Sequence, residues 1–177
     1  MSRASYDPPE RFVAGTVGPP GQRAFFLQAV RPGSRTTMSV EKFQVALLAD
    51  RIEDLLDATG TRTTQPPAPD NDPLETPFED DFRIVAMSVE WDTERELVHL
   101  RCHDRDPDDA DADQDARAAG LPPEIQTVDV VIQPGTAQEF ARRCKALVSA
   151  GRPPCPFCGG PLDPTGHICP RANGYRR

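Results

Sequence analysis

Four residues near the C-terminus have the types and the spacing of a metal site. Cys155 and Cys158 are separated by two residues, and His167 and Cys169 follow within the same fifteen positions. A two-residue gap lets both thiolates reach one ion, and three sulfurs with one imidazole form the closed tetrahedral set of structural zinc. The sequence therefore predicts one structural zinc ion, with no open coordination position for a substrate.

Two other interpretations of this segment stay open. A disulfide would pair only two of the three cysteines and would leave His167 without a role. A disordered tail with chance cysteines would fit the abundance of proline and glycine in the segment. The single-residue gap between His167 and Cys169 is also tighter than the common zinc-ligand spacings.

A second group of polar residues lies on a predicted strand, Arg95 to His103. Strand alternation places His99, Arg101 and His103 on one face, while apolar residues occupy the opposite face. Together with Asp104, these side chains would form a small-ligand or anion site, and this is the alternative to a function based on the tail. The simpler interpretation is that they face water.

The C-terminal segment 152–177 is basic, although the whole chain is acidic. Its four arginines against one aspartate give a net charge of +3, which leaves −11 on the rest of a chain whose total is −8. We expect a docking site for an acidic protein partner; its residues would be Arg171, Tyr175, Arg176 and Arg177. One alternative is that the arginines of the tail fold back onto the acidic body. Another is that the tail binds single-stranded nucleic acid, which the negative total charge disfavours.

Composition limits the class of protein. The 177 residues suffice for one domain with an appendage, and the 20 prolines predict long loops. No apolar run approaches the ~20 residues needed to span a bilayer, and the polar segment 1–10 lacks the apolar core of a signal peptide. We therefore expect a cytosolic protein with no membrane contact, a flexible N-terminus over 1–10, and reduced Cys102 and Cys144.

Hydrophobic periodicity predicts two similar units joined by a linker. The first unit spans 11–60 and the second spans 81–151, with a proline-rich linker or surface loop over 61–77 between them. Each unit is expected to contain three strands followed by one helix; the strands are 11–17, 23–30, 35–40, 81–91, 95–103 and 125–133, and the helices are 41–59 and 134–149. We predict that Gly60 and Gly151 end the helices as positive-φ caps.

These elements predict an α+β fold. The body, 11–151, would be an internal pseudo-repeat whose strands form a largely antiparallel sheet with both helices on one side. The zinc-binding tail, 152–177, would follow the body, joined to it through a stiff Pro153–Pro154 connection.

Three stretches of the chain resemble a known family. The strand segment 21–29, the helix segment 41–52 and the cysteine-containing tail 151–177 are similar to an uncharacterised actinobacterial family, catalogued as a domain of unknown function. The resemblance covers nearly the whole chain. It implies a cytosolic bacterial protein and supplies no catalytic residues.

No combination of nucleophile and base with supporting spacing is recognisable in the sequence. We therefore expect a non-enzymatic binding or adaptor protein that uses its zinc-stabilised tail. The alternative is an enzyme or small-ligand-binding protein that uses the face formed by His99, Arg101 and His103.

Overall fold

The computed structural model describes residues 3–19, 21–76, 79–107, 125–151, 155–158, 169 and 171. These residues contain eight strands and two helices. The strands are β1 (Arg3–Tyr6), β2 (Arg11–Val17), β3 (Ala24–Arg31), β4 (Ser34–Val40), β5 (Phe82–Arg83), β6 (Ala86–Asp92), β7 (Leu97–His103) and β8 (Thr127–Ile132). The helices are α1 (Lys42–Thr59) and α2 (Pro134–Ser149).

Each predicted unit builds an antiparallel meander followed by a helix. Strands β2, β3 and β4 pair in sequence order and lead into α1, and β6, β7 and β8 pair in the same way and lead into α2. The left-handed conformation of Gly33 (φ 74°) allows the tight turn between β3 and β4, and Gly60 (φ 66°) ends α1 as predicted. The α+β class with two such units is therefore confirmed.

The strands are divided between two four-stranded sheets, where the sequence suggested one, and each sheet takes its fourth strand from outside its own meander. The predicted strand 81–91 is broken into β5 and β6, and β5, at the start of the second unit, pairs in parallel with β4 of the first. Strand β1 precedes the first unit but pairs in parallel with β8 of the second. This exchange makes both sheets mixed and ties the two units together.

The helices also connect the two units. Helices α1 and α2 pack against each other, α1 also packs against β6, and α2 packs against β2. The rings of Phe12 on β2 and Phe140 on α2 stack with centroids 4.4 Å apart. The two units consequently share one apolar core, to which α1 contributes Val45, Leu48, Ala49, Ile52 and Leu56.

The N-terminus differs from the flexible segment predicted for 1–10. Residues 3–6 form β1, whose partner in β8 lies more than a hundred residues away in the chain. Tyr6 is fully buried, and its hydroxyl lies 2.7 Å from that of Thr36 on β4. A short edge strand with alternating polar residues has no local signature, because its order comes from this distant partner.

The connecting segment, 61–76, has no regular secondary structure, yet it is anchored along its length. Leu74 is buried over Gly15, where a Cβ atom would lie only 2.4 Å from the leucine Cγ. Buried Arg143 donates hydrogen bonds to the carbonyls of Asp70 and Asp72, and Arg11 forms an ion pair with Asp70. The segment is thus held against β2 by these contacts.

Candidate metal centre

Three cysteines converge at the C-terminal end of the described chain. The sulfurs of Cys155, Cys158 and Cys169 all lie within 4.8 Å of one another. Cys155 and Cys169 are buried, and Cys158 is partly exposed. All three are free thiols, so the structure does not support the disulfide interpretation.

The spacing of the sulfurs fits a tetrahedral thiolate site. Zinc–sulfur bonds of about 2.3 Å directed to the corners of a tetrahedron place neighbouring sulfurs about 3.8 Å apart. The sulfurs of Cys155 and Cys169 are 3.8 Å apart. A disulfide would require about 2.05 Å, so the cluster can hold a metal ion without rearrangement of these two residues.

A tight turn over 156–158 directs backbone N–H groups at the sulfur of Cys155. The backbone N–H groups of Cys158 and Phe157 donate hydrogen bonds to its sulfur and lower the pKa of the Cys155 thiol to about 7. Thiolates are the metal-binding form of cysteine, so this turn favours the species that coordinates. By contrast, burial raises the pKa of both Cys102 and Cys144 to about 12.

Arg171 contacts the turn that lies beside the cysteine cluster. Its guanidinium donates a hydrogen bond of 3.1 Å to the carbonyl of Phe157, and this bond ties the chain beyond Cys169 to the 156–158 turn. Arg171 remains exposed, and the ring of Phe157 is 63% exposed. The other tail residues named from the sequence lie outside the described part; they are His167, Tyr175, Arg176 and Arg177.

The second predicted group of polar residues is organised around Asp129, which the sequence analysis missed. This carboxylate on β8 is 2% exposed and accepts hydrogen bonds from Arg3, from His99 Nε2 at 2.9 Å and from Arg101 Nε at 3.0 Å. Burial alone would raise the pKa of Asp129, but the hydrogen bonds from Arg3, Arg101 and His99 outweigh that effect and lower it.

The remaining members of that group bind the neighbouring strand. His103 Nδ1 lies 3.0 Å from the Thr127 hydroxyl, and the Asp104 carboxylate accepts a hydrogen bond of 3.1 Å from the Gln126 backbone. Burial, more than the nearby Arg101, lowers the pKa of His103. Two of the four predicted residues therefore bind one buried carboxylate, and the other two form hydrogen bonds where the end of β7 meets the start of β8.

A single polar residue within an apolar strand was the available signal for Asp129. It stands between Val128 and Val130 in an otherwise apolar run of β8, and antiparallel register places it directly opposite Arg101. The contribution of Arg3 could not be foreseen, because it depends on the parallel pairing of β1 with β8.

A model of a family described as protein of unknown function (DUF3090) matches residues 4–169, and the chain belongs to this family. The match ends at Cys169, so it includes all three clustered cysteines. No curated protein and no solved structure matches the chain significantly. Neither helix in the described residues is long and apolar enough to cross a membrane.

Proposed function

We propose that this chain is a non-enzymatic, cytosolic bacterial binding protein whose C-terminal segment is shaped by one structural zinc ion. The ligands are Cys155, Cys158, His167 and Cys169. The observation that carries the proposal is the convergence of three cysteine sulfurs within 4.8 Å. His167, two residues before Cys169, supplies the fourth position from the sequence alone.

The chemistry of this ligand set favours zinc over harder cations. Thiolate and imidazole ligands suit zinc, whereas calcium and magnesium prefer oxygen. Three sulfurs and one nitrogen fill the tetrahedron and leave no position for an activated water molecule. The ion would therefore fix the shape of the tail and take no part in a reaction.

The tail would dock an acidic protein partner. Phe157 and Arg171 present an exposed ring and an exposed guanidinium on the described part of the cluster. Tyr175, Arg176 and Arg177 follow and add to a segment with net charge +3. Aromatic residues and arginines are the side chains most enriched at protein–protein contact centres. Nucleic acid is a weaker candidate, because the remaining chain carries −11.

A ligand site at His99, Arg101, His103 and Asp104 receives less support. Asp129 already binds His99 and Arg101 through its buried carboxylate. An incoming anion would have to compete with that carboxylate for the same donors.

The metal is tested by measuring zinc content per chain in protein purified without chelators. We expect one zinc per chain in the wild type and a loss of bound zinc in Cys158→Ser. Cys144→Ala is the matched control, since Cys144 is fully buried in α2 and should leave the metal content unchanged. Wild-type protein without zinc, or equal zinc in Cys158→Ser, would overturn the proposal.

Docking is tested separately by affinity capture with a shortened tail. Because Arg171 holds the Phe157 carbonyl, the deletion should remove only residues 172–177 and spare the cluster. We expect zinc content and melting temperature to be unchanged and recovery of an acidic partner to be lost. If the deletion lowers the melting temperature and the full-length chain recovers no partner, the tail clasps its own body.

A further inference from the structure

A cleft of about 660 Å³ lies where the first sheet meets both helices. It is bordered by the start of β3, the end of β4, the N-terminus of α1 and the chain just after α2. Among the described residues that line it, three are basic, namely Arg23, Lys42 and Arg83, and one is acidic, Glu41. Phe25 and Leu147 contribute apolar surface to its wall.

The charge of this cleft is opposite to that of the chain. The part of the lining that the structure describes carries three cations and one anion in a protein whose net charge is −8. Lys42 lies at the first turn of α1, where the helix dipole adds positive potential. Concave sites with one sign of charge concentrate ligands of the opposite sign.

The cations keep donor capacity for a ligand. Arg23 donates to the Ala150 carbonyl through one nitrogen, and Arg83 pairs with Glu41 through one nitrogen. A guanidinium has further N–H groups beyond such single contacts. Within the described residues, no carboxylate lies within 4 Å of the Lys42 ammonium. The ammonium lies beside Gly151: a Cβ atom built on that glycine would be 3.6 Å from Lys42 Nζ.

In the other unit, the chain itself contacts the N-terminus of the helix. There, the connecting segment 61–76 covers the N-terminus of α2, with Pro67 and Thr63 packed beside Gly135. Gln138 fixes this cover through two hydrogen bonds with the Thr63 backbone, of 3.0 and 3.1 Å. The same corner of the first unit forms the basic cleft instead.

We propose that this cleft binds a small, soluble organic phosphate. Two guanidinium groups and an ammonium near a helix N-terminus are the donors that phosphate groups prefer. The apolar wall of Phe25 and Leu147 would contact the organic part of the ligand. None of these residues belongs to the zinc ligands or the docking tail, so the inference is independent of the proposed function.

Titration calorimetry with pyrophosphate tests the phosphate site, because this probe has no organic part of unknown fit. We expect saturable binding at one site per chain. Lys42→Met and Arg83→Gln should each weaken it about tenfold or more, as expected for the loss of one charge-assisted contact. Lys145→Met and Arg51→Gln remove the same charges from exposed helix positions outside the cleft and should change the affinity little.

Circular dichroism of each variant should confirm that its fold is retained. Absence of saturable pyrophosphate binding, or equal affinity in both cleft variants and both controls, would overturn the proposal. Citrate binding as tightly as pyrophosphate would contradict a preference for phosphate. Cosedimentation with phosphatidic acid vesicles would contradict a soluble ligand in favour of a lipid headgroup.

Discussion

The five cysteines of this chain fall into two chemically different groups. Cys102 and Cys144 are almost completely buried among apolar side chains, and burial raises the pKa of each to about 12. Cys155 has a pKa lowered to about 7 by backbone hydrogen bonds, and its sulfur lies with those of Cys158 and Cys169. Cysteine reactivity follows the thiolate fraction and access, so the two groups should behave differently.

This contrast predicts the outcome of thiol labelling in the native protein. With a chelator present, the partly exposed Cys158 should react with iodoacetamide first, while Cys102 and Cys144 should react only after unfolding. Mass spectrometry of peptides gives the extent of labelling at each site. Labelling of Cys144 as fast as Cys158 in folded protein would contradict the assignment.

Asp129 is the residue whose loss should affect the second sheet most. Asp129→Asn removes the negative charge and one of the two acceptor oxygens that the Arg3 and Arg101 guanidiniums and the His99 imidazole share. Asp129→Asn should therefore lower the free energy of unfolding by ~1–3 kcal/mol at neutral pH. Chemical denaturation measures this, with exposed Asp54→Asn as the control.

The difference in unfolding free energy between wild type and Asp129→Asn should depend on pH with a definite sign. Because the folded-state pKa of Asp129 is lowered, its contribution is present above the unfolded value of ~3.9 and is lost as the pH falls through the folded value. The stability gap between wild type and Asp129→Asn should shrink below about pH 4. A gap that stays constant down to the acid transition would show that charge is not its source.

The connecting segment, 61–76, has no backbone ladder of its own and is held by individual side-chain contacts. Arg143 is 7% exposed and donates to the Ala14 carbonyl on β2 as well as to the segment. Arg143→Met should lower stability by ~1–3 kcal/mol through loss of charge-assisted hydrogen bonds.

Hydrogen exchange localises this effect. Amides of 70–75 should exchange faster in Arg143→Met than in wild type, with little change in β6 and β7. Arg51→Met is the matched control, because it removes the same charge from an exposed position on α1. Equal exchange over 70–75 in all three proteins would mean that Arg143 does not anchor the segment.

The order of the main elements was predictable because their signals are local. Apolar residues three and four positions apart defined α1, and alternation of buried and exposed residues defined β7. Turn glycines separated the strands, although Gly151 does not act as a cap: α2 ends at Ser149, and its cap residue is Ala150, whose φ of −69° is not left-handed.

The remaining features depend on pairing between distant parts of the chain. Strand β5 is two residues long and exists only because β4 offers it a parallel partner. Strand β1 depends in the same way on β8, and with it the contact of Arg3 with Asp129. Local periodicity carries no information about such partners. The three cysteines were recognisable because the two-residue gap between Cys155 and Cys158 is a local feature of the sequence.

At the level of the whole molecule, Tyr6 links the two sheets. Its strand belongs to the second sheet, while its hydroxyl contacts Thr36 in the first, and the Arg31 guanidinium lies 5.3 Å from its ring centroid. Tyr6→Ala should destabilise the chain by ~3–5 kcal/mol, the range for removing a buried aromatic side chain. Tyr6→Phe removes only the hydroxyl and should cost about 1 kcal/mol.

Thermal or chemical unfolding followed by two probes distinguishes linkage from local damage. Trp91 fluorescence reports on β6 in the second sheet, and hydrogen exchange of β3 reports on the first. The transitions seen by the two probes should shift together in Tyr6→Ala if β1 and β5, each paired with the other unit, couple the two units. Loss of stability confined to one sheet would contradict that coupling.

The proposed structural zinc ion would be held by three sulfurs and one imidazole nitrogen. X-ray absorption at the zinc edge of the purified full-length protein measures these neighbours. We expect three sulfur neighbours at about 2.3 Å and one nitrogen at about 2.0 Å, with no bound water. Absence of zinc, or a first shell dominated by nitrogen and oxygen, would contradict it.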